Sequence, residues 1–168
     1  MFEKLKVKSY AKLNLYLEVQ NIRRDNYHNI TTLFEKISLY DEISIKLRRD
    51  NKIRVTCDSR NVPSGEANLA YRAAYLLRQE AGLDKGADIH INKRIPVAAG
   101  LGGGSSNAAS VISGLNRLWK LRFSREKLLS VGSRIGCDVP FFLYDTSFAL
   151  GTGRGDKIKP VTGIPKKL

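Results

Sequence analysis

Pro96-Val97-Ala98-Ala99-Gly100-Leu101-Gly102-Gly103-Gly104-Ser105-Ser106-Asn107-Ala108-Ala109 is the stretch whose reading decides the fold. Four glycines in five positions let the backbone approach a ligand and turn its N–H groups inward without Cβ clashes. A helix follows, because Ala108, Ala109, Val111, Ile112, Leu115, Leu118 and Trp119 recur as one apolar stripe. A glycine loop feeding a helix N-terminus is an anion site: the first helical N–H groups lack acceptors, and the positive end of the dipole faces the ligand. Ser105 and Ser106 add hydroxyls for a phosphate or its Mg2+. No Gly-Lys-Ser/Thr closes the loop, which excludes a Walker A motif. Ser105 stands where a third glycine would complete a Rossmann fingerprint. The alternative is a plain loop ahead of a capped helix, against which stands the entropic cost of four clustered glycines.

Outward from this loop, the N-terminal half reads mainly as strands. Residues 5–10 form one; then Leu13, Leu15, Leu17 and Val19 alternate with Asn14, Tyr16, Glu18 and Gln20. Arg23-Arg24-Asp25-Asn26-Tyr27-His28 is a polar loop, and strand-like stretches follow at 30–38, 42–48 and 52–57. Val62–Glu66 is a turn. Asn68 can cap a helix carrying Leu69, Ala70, Ala73, Ala74, Leu76 and Leu77, with Gly82 near its stop. Residues 87–92 alternate as a strand with Ala87, Ile89 and Ile91 on one face. Beyond the glycine run, taken as loop from Gly100 to Gly104, Ser124 can cap a further helix ending at Gly136. Asp138-Val139-Pro140 reads as another helix start. Gly151–Asp156 reads as flexible. The class is α+β, strands first and helices laid over the sheet.

Composition narrows the possibilities. The 168 residues suit one domain or slightly more, and 42% hydrophobic with 27% charged residues suits a globular chain with a real core. No apolar run nears the roughly 20 residues of a membrane span. Met1-Phe2-Glu3-Lys4 leads straight into a strand, so no signal peptide is expected. With only Cys57 and Cys137 as cysteines and only His28 and His90 as histidines, neither a disulfide scaffold nor a zinc site is expected. These features point to the cytoplasm. The net charge is +13. Residues 1–84 hold 15 basic against 11 acidic side chains, and residues 85–168 hold 14 against 5. Such a balance favours polyanionic partners: nucleic acid, nucleotides or phosphorylated metabolites.

Three further segments hold chemistry-bearing residues. On a strand, Lys12 and Asn14 share one face, opposite Leu13 and Leu15. They are either a solvated face or an ammonium and amide aimed at a ligand. Asp138, among apolar neighbours at a helix start, is either an N-cap or a general base. Tyr27-His28 is either a surface loop or a pair that stacks on and hydrogen-bonds a base. Cys137 reads as a small buried filler, and His90 as exposed.

Taken together, four ordered motifs resemble the GHMP kinases: Ala11-Lys12-Leu13-Asn14-Leu15, Arg23–His28, Gly100–Ala109 and Gly136-Cys137-Asp138-Val139-Pro140-Phe141-Phe142. The resemblance implies a ribosomal protein S5 domain 2-like α+β sandwich. It also implies transfer of the ATP γ-phosphate to the 2-hydroxyl of 4-diphosphocytidyl-2-C-methyl-D-erythritol, in the non-mevalonate isoprenoid pathway. On it, Asp138 matches the catalytic base and Lys12 the lysine beside it. Tyr27 and His28 match the residues that hold the cytosine, and Asn14 lies near the erythritol hydroxyls. Pro96, Gly100, Leu101, Gly102, Gly103, Gly104, Ser105 and Ser106 match the ATP phosphate loop, with Asn68 and Lys93 near adenine and ribose. ATP and Mg2+ are implied, with no protein metal ligands assigned; membrane and nucleic-acid partners are not expected. Asn26 replaces the family's usual glycine, and Cys137 its usual alanine. Residues 1–150 are expected to be the N-terminal ATP-binding domain and 151–168 a linker toward a C-terminal domain absent from this chain, which alone is expected to be inactive. Two rival readings are another GHMP small-alcohol kinase and a basic RNA-binding module of S5-like fold. Against the second, the aromatics are not interleaved with Lys and Arg as in a stacking platform.

Overall fold

Two long strands form the backbone of the molecule. β1 (Lys4–Ile22) and β2 (His28–Leu47) pair antiparallel almost throughout, joined by a turn at 23–27. In this computed structural model, which describes residues 3–163, Asn26 takes a left-handed φ of 61° in that turn, a conformation asparagine tolerates. Since β1 holds one whole edge of β2, the other edge is shared. β5 (Phe148–Thr152) pairs residues 32–35, and β4 (Ala87–Asn92) pairs residues 42–47. β3 (Ile53–Cys57) runs parallel to β4, and β6 (Lys157–Val161) antiparallel to β5.

α1 (Leu69–Glu80) and α2 (Gly103–Leu118) cover the face bearing Ile43, Ile45, Ile89 and Ile91. Their buried stripe includes Ala73, Leu77, Val111, Ile112 and Leu115, all 0% exposed, and each such aliphatic beyond alanine contributes roughly 1.5–3 kcal/mol. α3 (Arg125–Ser133) starts as expected, the Ser124 side chain accepting the Lys127 N–H. The short α4 (Val139–Phe142) follows. A second, smaller cluster joins Phe34, Phe141 and Ala149, with the two phenyl rings stacked at 4.8 Å. No helix among the described residues is long and apolar enough to cross a membrane.

The structure revises four expectations. The segments 5–10 and 13–20 are one strand, and so are 30–38 and 42–48; irregular pairings interrupt their alternation. Between Tyr10 and Lys12, two steps along β1 span four along β2, and the inward face changes. Hence Lys12 is only 5% exposed, while Leu13, Leu15, Leu17 and Val19 are 39–60% exposed and form no part of the core. The helix begins at Gly103, inside the stretch taken as loop. The second half holds more strand than expected, since β5 and β6 join the anticipated β4. Nor are residues 151–161 a linker: β5 and β6 make a hairpin, with Pro160 tolerated because β6 is the sheet edge. Residues 164–168 of the expected linker lie outside the described residues.

Gly86 fastens the turn between β2 and β3 to the start of β4. A Cβ there would lie 2.4 Å from the carbonyl oxygens of both Asp50 and Lys52, backbone atoms that cannot swing away. Gly86→Ala is therefore expected to cost about 1–3 kcal/mol or more, read as a lower urea midpoint with an unchanged slope.

Candidate active site

The glycine run lines a cavity of about 310 Å3. Gly102 is the N-cap of α2 with φ 66° and offers no side chain to the helix end. The first N–H groups of α2 consequently face the cavity mouth without a side-chain cap, at the positive end of a 16-residue helix. Glycine is needed at 102 twice over, since a Cβ would also meet Lys12 Cγ at 3.0 Å and Phe142 Cζ at 3.1 Å. At Gly103 a Cβ would stand 3.0 Å from Lys93 Nζ, so a cation sits directly beside the helix start.

Asn68, Lys93, Pro96 and Gly100–Ser105 all line this one cavity. Asn68 is a structural wall: its Oδ1 accepts the Ala70 N–H at 2.9 Å and its Nδ2 donates to the Pro63 carbonyl at 2.9 Å. Ser106 does not join it. Its side chain is turned into the core, where its Oγ accepts from Ser9 Oγ at 2.8 Å, because the helical turn carries consecutive residues to different sides.

Sequence reasoning missed Asp41. Its side chain is 0% exposed and pairs with Lys93 Nζ at 2.8 Å, while Oδ1 accepts the N–H groups of Arg94 and Ile95 at 2.7 and 2.8 Å. A carboxylate this dry is tolerated only fully partnered, and here it anchors both Lys93 and the turn leading to the glycine run. The available signal was an acid directly ahead of the Ile43 and Ile45 alternation.

Lys12 links the sheet to the loop. Its N–H donates to the Leu101 carbonyl at 3.0 Å, and its ammonium lies 3.5 Å from Asp138 Oδ2. The ammonium also donates to Asn14 Oδ1 and sits 5.3 Å above the Phe34 ring. Asn14 Nδ2 donates in turn to Thr32 Oγ1 at 2.7 Å. Lys12 and Asn14 are thus no solvated face. Asp138 heads α4 but makes no side-chain cap, its carboxylate being spent on Lys12 and one-third exposed. Ser105, which lines the cavity, has its Oγ 3.8 Å from the position of a Cβ on Gly136, two residues before Asp138.

At the far end of the hairpin, Tyr27 is 52% exposed and His28 is also exposed. The Tyr27 N–H is fixed by Asp25 Oδ1 at 3.2 Å, and its ring lies against Arg154. His90 is exposed as expected, its Nδ1 2.9 Å from Thr56 Oγ1. Cys137 is only half-buried, and burial pushes its thiol up from the ordinary range.

Residues 68–146 match the family model of the GHMP kinases N terminal domain. The fold is that of the GHMP kinase N-terminal domain. Two relatives named 4-diphosphocytidyl-2-C-methyl-D-erythritol kinase are similar to this chain. The protein of Syntrophotalea carbinolica is 48% identical over 92% of this chain and 55% of its own length. That of Alkaliphilus metalliredigens is 43% identical over 96% and 55%. A crystal structure of 4-(cytidine 5'-diphospho)-2C-methyl-D-erythritol kinase superposes with a TM-score of 0.76 at 38% identity, covering 94% of this chain and 55% of that one. Mevalonate kinase, at 14% identity and a TM-score of 0.73 over 95% of this chain and 56% of its own, shares the fold. The chain spans about half the length of the relatives it matches. The Lys12–Asp138 pair adjoins the cavity at the α2 N-terminus through Leu101, a cavity-lining residue whose carbonyl accepts the Lys12 N–H.

Replacing Asp41 by Asn leaves the Lys93 ammonium, only 7% exposed, without its counter-charge. Asp41→Asn is expected to lower stability by about 3–5 kcal/mol, measured by denaturant unfolding. Lys93→Met together with Asp41→Asn is expected to restore part of that loss.

Proposed function

We propose that this chain is the nucleotide-binding part of an ATP-dependent kinase whose acceptor is the 2-hydroxyl of 4-diphosphocytidyl-2-C-methyl-D-erythritol, acting in the cytoplasm in non-mevalonate isoprenoid synthesis. The observation that carries the reading is the 3.5 Å contact of Lys12 with Asp138 beside the cavity into which α2 points its N-terminus. The relatives extend well beyond the matched part, and a second domain that completes the cleft belongs to this proposal, with turnover assigned to the longer polypeptide.

The residues divide the work. Backbone N–H groups of Gly103, Gly104 and Ser105, with the Lys93 ammonium, bind the ATP phosphates. A carboxylate oxygen of Asp138 accepts the proton of the acceptor hydroxyl. The Lys12 ammonium offsets charge developing on the transferred group, and Asn14, held between Lys12 and Thr32, orients the acceptor hydroxyls. Tyr27 and His28 hold the cytosine. Among the described residues, no group of three or more His, Cys, Asp or Glu could hold a metal. Mg2+ would come as a companion of the ATP phosphates, with the Ser105 hydroxyl in the cavity wall as an oxygen that could help hold it. It would supply charge neutralisation to the phosphoryl group.

In the longer enzyme, Asp138→Asn is expected to cut kcat by about 10²–10⁴ with little change in KM. A kcat near that of the unsubstituted enzyme removes the base assignment. Tyr27→Ala is expected to raise KM for the cytidyl substrate about 5- to 150-fold, the worth of one lost base stack, and to leave KM for ATP alone. Equal effects on both substrates would show that the loop only supports the fold.

A further inference from the structure

The turn between β5 and β6 carries an arginine to which neither the fold nor the site assigns a task. Arg154 lies between Gly153 and Gly155, at φ 70° and 90°, a backbone path that glycine favours. The turn is fastened to the start of β2. The Gly153 carbonyl accepts the Ile30 N–H at 2.7 Å, and a Cβ on buried Gly155 would meet Ile30 Cδ1 at 3.1 Å. The side chain is just as firmly held. Asp156 Oδ2 lies 2.9 Å from Nη2 and 3.3 Å from Nε, and Oδ1 accepts the Arg154 N–H at 3.2 Å. On one side the guanidinium lies 5.3 Å from the centre of the Tyr27 ring. On the other, the adjoining Gly155 packs toward the Phe34 ring, whose Cζ would lie 3.8 Å from a Cβ there and over which the Lys12 ammonium sits at 5.3 Å.

Arg154 therefore stands between the end of the site that holds a base and the end that holds a hydroxyl. A cytidine-diphosphate alcohol with its cytosine at Tyr27 and its hydroxyl at Asp138 must carry two anionic phosphates across that gap. Asp156 takes the Nε edge of the guanidinium, which leaves Nη1 and the second Nη2 hydrogen for an oxyanion in the planar geometry arginine offers to phosphate. We propose that Arg154 grips the diphosphate of the acceptor substrate and sets its preference for a diphosphate link, with Asp156 as the positioning residue. The inference rests on the cytidine-diphosphate reading above.

The test is calorimetric titration of CDP and of cytidine into the full-length protein carrying these residues, unsubstituted and as Arg154→Gln and Arg154→Lys. The unsubstituted protein is expected to prefer CDP. Arg154→Gln is expected to lose CDP affinity by about ten-fold or more, as for a hydrogen bond to a charged group, and to hold cytidine within about two-fold. Arg154→Lys, which keeps the charge without the fork, is expected to lose less for CDP and nothing for cytidine, and it decides the matter if the Gln variant does not fold. A CDP-to-cytidine ratio unchanged by both substitutions overturns the proposal and leaves the cytidine reading standing. Equal losses for CDP and cytidine also overturn it, since Arg154 would then only prop Tyr27. Failure of both ligands to bind the unsubstituted protein overturns the cytidine reading and this inference with it.

Discussion

Between Tyr10 and Lys12 the ladder joining β1 to β2 loses its regular register, and a strand of period two thereby changes which side chains it turns inward. Before that point β1 serves a dry core, with Ser9 bonded to Ser106 and Asn107 of α2. After it, the same strand serves a polar site. A regular strand would have buried Leu13 and left Lys12 in solvent. The irregularity instead places an ammonium against Asp138 and a backbone N–H against the Leu101 carbonyl, so glycine loop and acid are both referenced to one residue. The outer stripe from Leu13 to Val19 is the other side of the same change.

How much of this could be read from the chain depends on how local each signal is. The helices were legible because their stripes and caps lie within a few residues, as at Asn68 and Ser124. β4 was legible because Ala87, Ile89 and Ile91 alternate without interruption. The long strands looked like fragments, since pairing irregularities are set by the partner strand and leave no mark in the strand itself. The β5–β6 hairpin looked like a loop because its turn is rich in glycine and its edge strand contains a proline. Of the site, the glycine run was fully local. The choice for Asp138 between helix cap and ion pair was open, because it depends on Lys12 being folded back onto it. Asp41 and Arg154 acquire their meaning only from residues at other places in the fold, Lys93 for the first and Tyr27 for the second.

The charge of +13 has a structural side as well. Few of the basic groups near the cavity are loose. Lys12 and Lys93 are almost fully buried and each faces a carboxylate, so their positions are fixed before any anion arrives. Fixed cations lose little on binding, whereas mobile surface lysines would have to be ordered first.

The shared edge of β2 sets an order of assembly. Its C-terminal half meets β4 and, through Ile43 and Ile45, the helices that follow within the next stretch of chain. Its N-terminal half waits for Ala149, which pairs with Phe34 from 115 positions away and completes the small cluster beneath Lys12. Closing the longer loop costs more entropy, and a chain leaving the ribosome supplies Ala149 last. The glycine-loop end of the domain thus takes shape first during synthesis, and the floor beneath Lys12 is laid only after β5 has emerged.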